Sequence, residues 1–531
     1  MQTQPDSTTG AREAYIVGGG IAGLAAAAFL IRDGGMAGRR IHLLEASDRI
    51  GGSLDGAGDP QSGYVIRGGR MFETHFACTY DLLSTVPSLT DPRLSVSEEL
   101  HAFTRRIVTS SKSRLVVDGR KIEAPPLNLS LRDKWDLARL TLLPERTLGR
   151  RSIEQYFAAG FFSTNFWLMW CTMFAFQPWH SLAEFRRYMR RFMHLMPGFN
   201  RLEGIHRTPY NQYDSIIRPL VSQLEQAGVD LQTHAAVLDI DFAAVGDGKK
   251  TVSGILLEQH GHQRRIDIRG DDLVLITLGS MTEGSDLGTM DSAPTWRANP
   301  EHGAWALWRK ISRQSDAFGN PDVFCSDVDK SRWESFTVTL RDPFFFDFME
   351  KFTGNAAGTG GLVTFTESSW LLSVVLAYQP HFANQPEDVN VFWGYGLRPE
   401  RRGNHIDKPM TECSGREILT ELFHHLPVGD SAARIIDAAN CIPCAMPYIT
   451  SQFMPRTHGD RPAVVPDGAS NFAFLGQYCE APEDTVFTVE YSVRTAQMAV
   501  CELLGLTRKV TPIYRGYLHP SVVLRALRAM A

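Results

Sequence analysis

The chain lacks most of the features that would assign it quickly. Eight cysteines in 531 residues are too few for a disulfide framework, and they suit a reducing compartment. A net charge of −5 offers no general attraction to nucleic acid. There is no Gly-x-Ser-x-Gly elbow, no Walker-type phosphate loop, no internal repeat and no low-complexity tract. His180 and His194 stand in no His-x-x-x-His or His-Glu pair, so buried or capping histidines are expected, and no metal. Met1 to Thr9 has neither a basic start nor an apolar core, which argues against a signal peptide and for a cytoplasmic protein. One apolar run, Ala14 to Ile31, reaches membrane-span length. Three successive glycines inside it indicate a strand and a helix joined by a turn instead. Cys441-Ile442-Pro443-Cys444 imitates a thiol–disulfide site, but no helix start follows to lower a thiol pKa, so two structural cysteines are expected.

What is present begins at the N-terminus. Tyr15-Ile16-Val17 runs into Gly18-Gly19-Gly20-Ile21-Ala22-Gly23, followed by an alanine-rich helix, then Ile41-His42-Leu43-Leu44-Glu45 and Arg49-Ile50-Gly51-Gly52. Strand, glycine turn, helix and second strand ending in an acid make a dinucleotide-binding βαβ unit. Gly18 permits the turn, Gly20 lets a pyrophosphate approach the backbone, and Gly23 lets the helix pack on the strand. The helix N-terminus faces the phosphates, and Glu45, about 20 residues on, accepts ribose hydroxyls. Arg67-Gly68-Gly69-Arg70-Met71-Phe72-Glu73 places glycines between two arginines, which suits a place beside the cofactor.

With 531 residues, two or three domains are expected. The fold class is α/β. A Rossmann-like nucleotide domain assembles from residues 1–125, 205–300 and 435–505. A mixed α+β substrate region covers 126–204 and 301–434, and a helical segment covers 506–531. Phe103 to Glu123 reads as strands. Ser130 to Leu142, Ile153 to Phe162, Phe166 to Phe176 and Ser181 to Met196 read as helices, the last with Phe185, Tyr188, Met189 and Phe192 on one face. This apolar, aromatic block is a candidate channel wall. Buried strands at 272–278 and 471–475 return the chain to the nucleotide fold.

Ile16–Gly23, Arg67–Glu73, Phe174-Ala175-Phe176-Gln177-Pro178-Trp179-His180-Ser181, Tyr210-Asn211-Gln212-Tyr213 and Gly459-Asp460-Arg461-Pro462 together resemble the oleate hydratases, also called myosin-cross-reactive antigens. The resemblance spans most of the chain. It implies FAD, in a largely organising role, and addition of water across the cis-9 double bond of an unsaturated fatty acid. It places the cofactor among Gly18, Gly20, Ile21, Ala22, Gly23, Glu45, Arg49, Gly52, Ser53, Arg67, Gly69, Arg70, Ser280, Glu480 and Thr485. The family's proton donor is the tyrosine of an Arg-Arg-Tyr segment, here Tyr188 after Arg186-Arg187, with adjacent cationic charge expected to help it. The bland alternative for Tyr188 is core packing.

One departure matters. The family orients water with a glutamate directly after Arg-Gly-Gly-Arg, and this chain has Met71 there. Either a nearby acid substitutes, with Glu73 the nearest on the same face of an extended strand, or the backbone and flavin hold the water, or the activity has changed. The family's carboxylate-binding arrangement aligns with Thr450, Gln452 and Arg456. Two alternatives stay open: a flavin oxidoreductase of the amine-oxidase or carotenoid-desaturase type, and a weakly active lipid-binding flavoprotein. Many relatives carry a longer N-terminal extension that helps form a dimer, so the short lead here favours a monomer. From Pro520 onward, Val523, Leu524, Leu527 and Met530 would share a helical face flanked by Arg525 and Arg528. That face would either lie in an anionic membrane surface, as in the family, or dock on the protein itself.

Overall fold

A computed structural model describes residues 12–298 and 303–530. The expectation for Met1 to Thr9 and the outer ends of the ranges 1–125, 205–300, 301–434 and 506–531 fall outside the described residues.

The nucleotide part is a five-stranded parallel sheet in the order Phe472–Leu475, Leu273–Thr277, Ala14–Val17, Ile41–Leu44, Asp230–Gln232. Its central strands are buried on both faces, which is why they read as near-continuous apolar runs. The helices Ile21–Arg32 and Val489–Leu503 pack on this sheet and on each other. The chain leaves the sheet for other sheets three times, after residues 44, 232 and 277, and returns each time, giving the Rossmann-like α/β arrangement expected from the N-terminal motif.

A second, eight-stranded mixed sheet forms the other part of the molecule. Its central strands Trp333–Leu340 and Asn390–Gly396 alternate strictly. Phe336, Val338 and Phe392 face one hydrophobic core under the helices Phe344–Thr353 and Gly415–His424. Trp333, Trp393 and Tyr395 face the other, larger core shared with the nucleotide part. Ser113–Val117, Arg120–Glu123 and Ala439–Met446 pair into this sheet and not into the nucleotide sheet, to which sequence position alone had joined them. Sheet membership is decided by distant pairing partners, which local pattern does not encode.

The helical block holds Leu131–Leu142, Asn165–Phe174 and Leu182–Arg191, the last continuing as 3₁₀ turns to Arg201. Two expectations fail here. Ile153–Phe162 is turns and a short 3₁₀ stretch, because its aromatics pack individually around Phe157 and Phe161. Phe103 to Arg106 closes the helix Val96–Arg106, started by a Ser95–Glu98 capping box, before the strands begin. Cys441 and Cys444 are buried on a strand, where burial pushes both thiols up, Cys444 to about 12.

The terminal helix Pro520–Met530 docks on residues 193–201 through Val522 and Ala526, while Leu524 and Leu527 stay exposed. The apolar face is therefore split between the protein and solvent. No helix among the described residues is long and apolar enough to cross a membrane.

Candidate functional site

Two cavities adjoin at the junction of the sheets. The larger, about 1070 Å³, lies over the glycine turn, at the upper end of ligand-pocket size. Gly18 takes φ +100°, a conformation that favours glycine. Gly23 has no room for a side chain, because a Cβ there would sit 2.1 Å from the Gly18 carbonyl oxygen. At Gly20 a Cβ would meet only the Gly52 Cα, at 3.9 Å, so the backbone is open to a ligand. Gly20 caps the helix without a side-chain hydrogen bond, leaving first-turn N–H groups directed at the cavity.

Gly18, Gly20, Ile21, Ala22 and Gly52 line this cavity, as do Glu45, Arg49, Ser53, Arg67 and Ser280. Glu45 accepts from Gly19 N–H at 2.7 Å and from the Ser47 N–H and hydroxyl, so it also clamps the turn. Gly23 shapes the cavity from behind the wall. Glu480 and Thr485 do not reach it: Glu480 is drawn to Arg187 at 2.6 Å, and Thr485 is buried elsewhere. Val237, Leu278, Gln477 and Tyr478 also line the cavity and escaped the sequence reading. The only local signal was the glycine turn after Phe472–Leu475.

The second cavity is narrow, about 90 Å³, room for about three water molecules. A long ligand must displace side chains to enter it. Phe174, Tyr188 and Phe192 line it from the helical block, Trp333, Trp393 and Tyr395 from the eight-stranded sheet, and Gly69 to Glu73 from the glycine–arginine segment. Gly69 and Arg70 therefore belong to this cavity. Arg70 also donates to Ser53 O at 3.3 Å, and Ser53 lines the nucleotide cavity. On the other side Gln477 Nε2 donates to Thr488 O at 3.0 Å. These two contacts form the partition between the cavities.

Tyr188 is brought to the cavity by the helix Leu182–Arg191. Its ring lies among Phe174, Phe176, Phe192 and Phe453, and its hydroxyl donates to Val486 O at 2.5 Å. Burial, with the charges of Glu184 and Asp484, drives its pKa well above the usual tyrosine value, while Arg70 pulls it down. The cation that helps is thus Arg70 and not the neighbouring Arg186 or Arg187. Those point the other way: Arg187 pairs with Glu145 at 2.7 Å and with Glu480, and Arg186 lies 3.6 Å from Glu145.

Met71 lines the cavity beside Glu73, but the Glu73 carboxylate is occupied. Oε1 lies 2.8 Å from Arg191 Nη1, and Oε2 meets His75 Nδ1 at 3.0 Å, His75 N–H at 2.8 Å and His194 Nε2 at 3.2 Å. Burial alone would raise this carboxyl, but the hydrogen bonds from His194 and His75 and the charge of Arg191 outweigh it and hold it far below the carboxylate range. Glu73, His75 and His194 have metal-ligand spacing, yet Arg191 already supplies the cation. His180 accepts from Gln177 N–H, and burial lowers it to about 3.

Thr450, Gln452 and Arg456 do not line the apolar cavity. Thr450 donates to Ser331 O, Gln452 to Ile449 O, and Arg456 meets Glu184 at 2.8 Å. Their polar groups are spent inside the protein, so the expected carboxylate site is not there.

The MCRA family profile matches residues 11–501. The oleate hydratase of Streptococcus pyogenes serotype M49 (strain NZ131) is 41% identical over 514 residues, covering 94% of this chain and 86% of that protein. The linoleate hydratase of Lactiplantibacillus plantarum is 31% identical over 565 residues, covering 98% of each. Among solved structures, cyclohexylamine oxidase from Brevibacterium oxydans IH-35A superposes with TM-score 0.55 at 14% identity over 93% of this chain and 99% of that one. Putrescine oxidase bound to putrescine gives 0.54 at 14%, with the same coverage. These last two likenesses bear on the fold alone.

The ion pairs make a stability prediction. Glu73→Gln leaves Arg191 buried without its closest carboxylate and should destabilise the fold by about 3 kcal/mol at pH 7. Because the folded-state pKa is depressed, this contribution is full above the unfolded value near pH 4.3 and fades as the pH falls further. Urea midpoints of both proteins across pH 7 to 3 check it; a pH-independent gap, or none, contradicts it.

Proposed function

The chain belongs to the MCRA family, and on that premise we propose that it adds water across the cis-9 double bond of an unsaturated fatty acid, giving a 10-hydroxy acid, with FAD as its cofactor. The observation that carries the reading is the match to two fatty-acid hydratases along nearly the whole chain. The lining of the narrow cavity is apolar, as an acyl chain that displaces side chains on entry requires, and the nucleotide cavity beside it suits FAD.

FAD fits the residues present. The open backbone at Gly20, the uncapped helix start and Glu45 would hold its diphosphate and ribose, and Arg67 and Ser280 would complete the cradle. The reaction has no net redox change, so the bound flavin organises the site. The protein's residues carry the proton chemistry. Protonating an isolated alkene is difficult, because the developing cation is poorly stabilised, so the donor must be positioned and bulk water kept out. The raised pKa of Tyr188 keeps its hydroxyl protonated at neutral pH. Its proton goes to C9, the π electrons form that C–H bond and leave C10 cationic, and Arg70 would stabilise the phenolate that results. A held water attacks C10 to form the C–O bond, and the proton it sheds is relayed through water to the Tyr188 phenolate, which restores the donor.

Met71 cannot act as a base, and the ion pairs of Glu73 commit it to Arg191. The backbone near Gly69 is the better water site: a Cβ there would meet no atom within 4 Å, which leaves space at the cavity wall.

Incubation with oleate followed by mass spectrometry tests the reading. Gain of one water supports it; loss of two hydrogens would indicate an oxidoreductase, and no change a lipid-binding protein. Tyr188→Phe should lower turnover at least about a hundredfold with the fold intact; near-normal turnover would remove Tyr188 from the mechanism. Gly20→Val should lose FAD in a binding titration while keeping its far-UV spectrum, and full FAD affinity would count against the cofactor assignment.

A further inference from the structure

We propose that Arg207 is the anchor for the substrate carboxylate, an anion site inside the apolar cavity. The identity of the acid rests on the hydratase reading; the anion site itself does not.

Arg207 follows the short strand Ile205–His206 and lines the cavity. Among the described residues, nothing forms an ion pair or hydrogen bond with its guanidinium, and its Nε is buried without a partner. The titratable groups that face it are Tyr395, His381 and Arg114. None supplies negative charge at neutral pH. Burial, with the charge of Arg207, lowers His381 to about 4, so it is neutral. Burial raises Tyr395, which donates its proton to Thr172 O. Arg114 is itself a cation, satisfied by the carbonyls of Phe199 and Met169.

This isolation sets Arg207 apart. Arg187, Arg191, Arg456, Arg461 and Arg494 each meet a carboxylate. Arg70, the other cation in the cavity wall, bonds Ser53 O and lies over the Phe487 ring. Burial lowers Arg207 to about 10, which still leaves it charged at pH 7. Arg207 is half-buried with its Nε fully buried and unpartnered, and a cation so placed without a counter-ion is costly, so the site calls for an anion from outside.

The fork is also held in place. It packs against Gly361, where a Cβ would come within 2.4 Å of Nη2. A planar guanidinium with free N–H groups recognises a carboxylate through two parallel hydrogen bonds. The surrounding wall of Phe174, Phe192, Leu195, Leu362 and Val375 recognises an acyl chain. One cavity thus offers both recognition elements of a fatty acid, which Thr450, Gln452 and Arg456 do not.

The test uses ligands that cannot be hydrated. Stearate and octadecanol share a chain and differ in the carboxylate, so calorimetry or displacement assays on the wild type should show stearate bound at least about tenfold more tightly. Arg207→Gln should weaken stearate by at least about thirtyfold and leave octadecanol unchanged. It should also raise the KM for oleate more than it lowers kcat. Arg207→Lys, which keeps the charge but loses the fork, should fall between and serves if the glutamine variant does not fold. Equal wild-type affinity for the two ligands, or a variant that weakens both alike, overturns the proposal. If the wild type prefers stearate through Arg207 but gives no hydrated oleate, the anion site stands and the hydratase reading falls. If oleate is hydrated and stearate binding ignores Arg207, the reverse holds.

Discussion

The helix Leu182–Arg191 is held by charge on one side so that it can offer an aromatic face on the other. Glu184 binds Arg456 and Arg461, Arg187 binds Glu145 and Glu480, and Arg191 binds Glu73 and approaches Asp484. Arg494 extends the network to Asp484 and Glu490 on the nucleotide part. Nearly all of these groups are buried, so each depends on its partner, and removing one leaves an uncompensated charge costing about 3–5 kcal/mol. Glu184 falls in the helix's first turn and Arg191, with Arg190, in its last, which also suits the helix dipole. The result is a rigid mount. Phe185, Tyr188 and Phe192 have little freedom, and the Tyr188 hydroxyl is fixed at the cavity wall.

This arrangement explains how a weak acid could serve alkene hydration. The cavity around Tyr188 is apolar and tight, so the same burial that raises its pKa also excludes the bulk water that would compete for its proton. Arg70 opposes the rise from the partition between the cavities, where a ligand on either side would sense it. The two cavities are therefore linked through a few residues. The arrangement also reassigns Glu73: a carboxylate that anchors Arg191 is a structural counter-ion and a poor base.

The nucleotide half was legible because its determinants are local. The spacing of Gly18, Gly20 and Gly23 follows from a strand meeting a helix across a pyrophosphate, and buried parallel strands announce themselves as apolar runs. Tyr188 was legible through the Arg-Arg-Tyr resemblance, but its electrostatics were not. The influential cation, Arg70, comes from another segment, and the adjacent arginines turn away because helix geometry sends consecutive side chains to different faces. Glu73 could be placed near the site by strand periodicity, yet its partners His194 and Arg191 belong to a different element. Thr450, Gln452 and Arg456 carried the right chemistry in the wrong place, since burial and pairing are tertiary properties. Arg207 offered no signal in the sequence, because the absence of a counter-ion is visible only once the neighbours are assembled. The same holds for residues 113–123 and 439–446, whose pairing with the second sheet is set by distant strands.

The central claim is that one cavity holds the acyl chain with its double bond at Tyr188 and its carboxylate at Arg207, beside the nucleotide site. A crystal structure with FAD and stearate bound tests it most directly. The account predicts the carboxylate on the Arg207 guanidinium, C9 and C10 within about 4 Å of the Tyr188 hydroxyl, and the flavin beyond Arg70. Stearate lying outside this cavity, or bound with its carboxylate at residues 450–456, would contradict it.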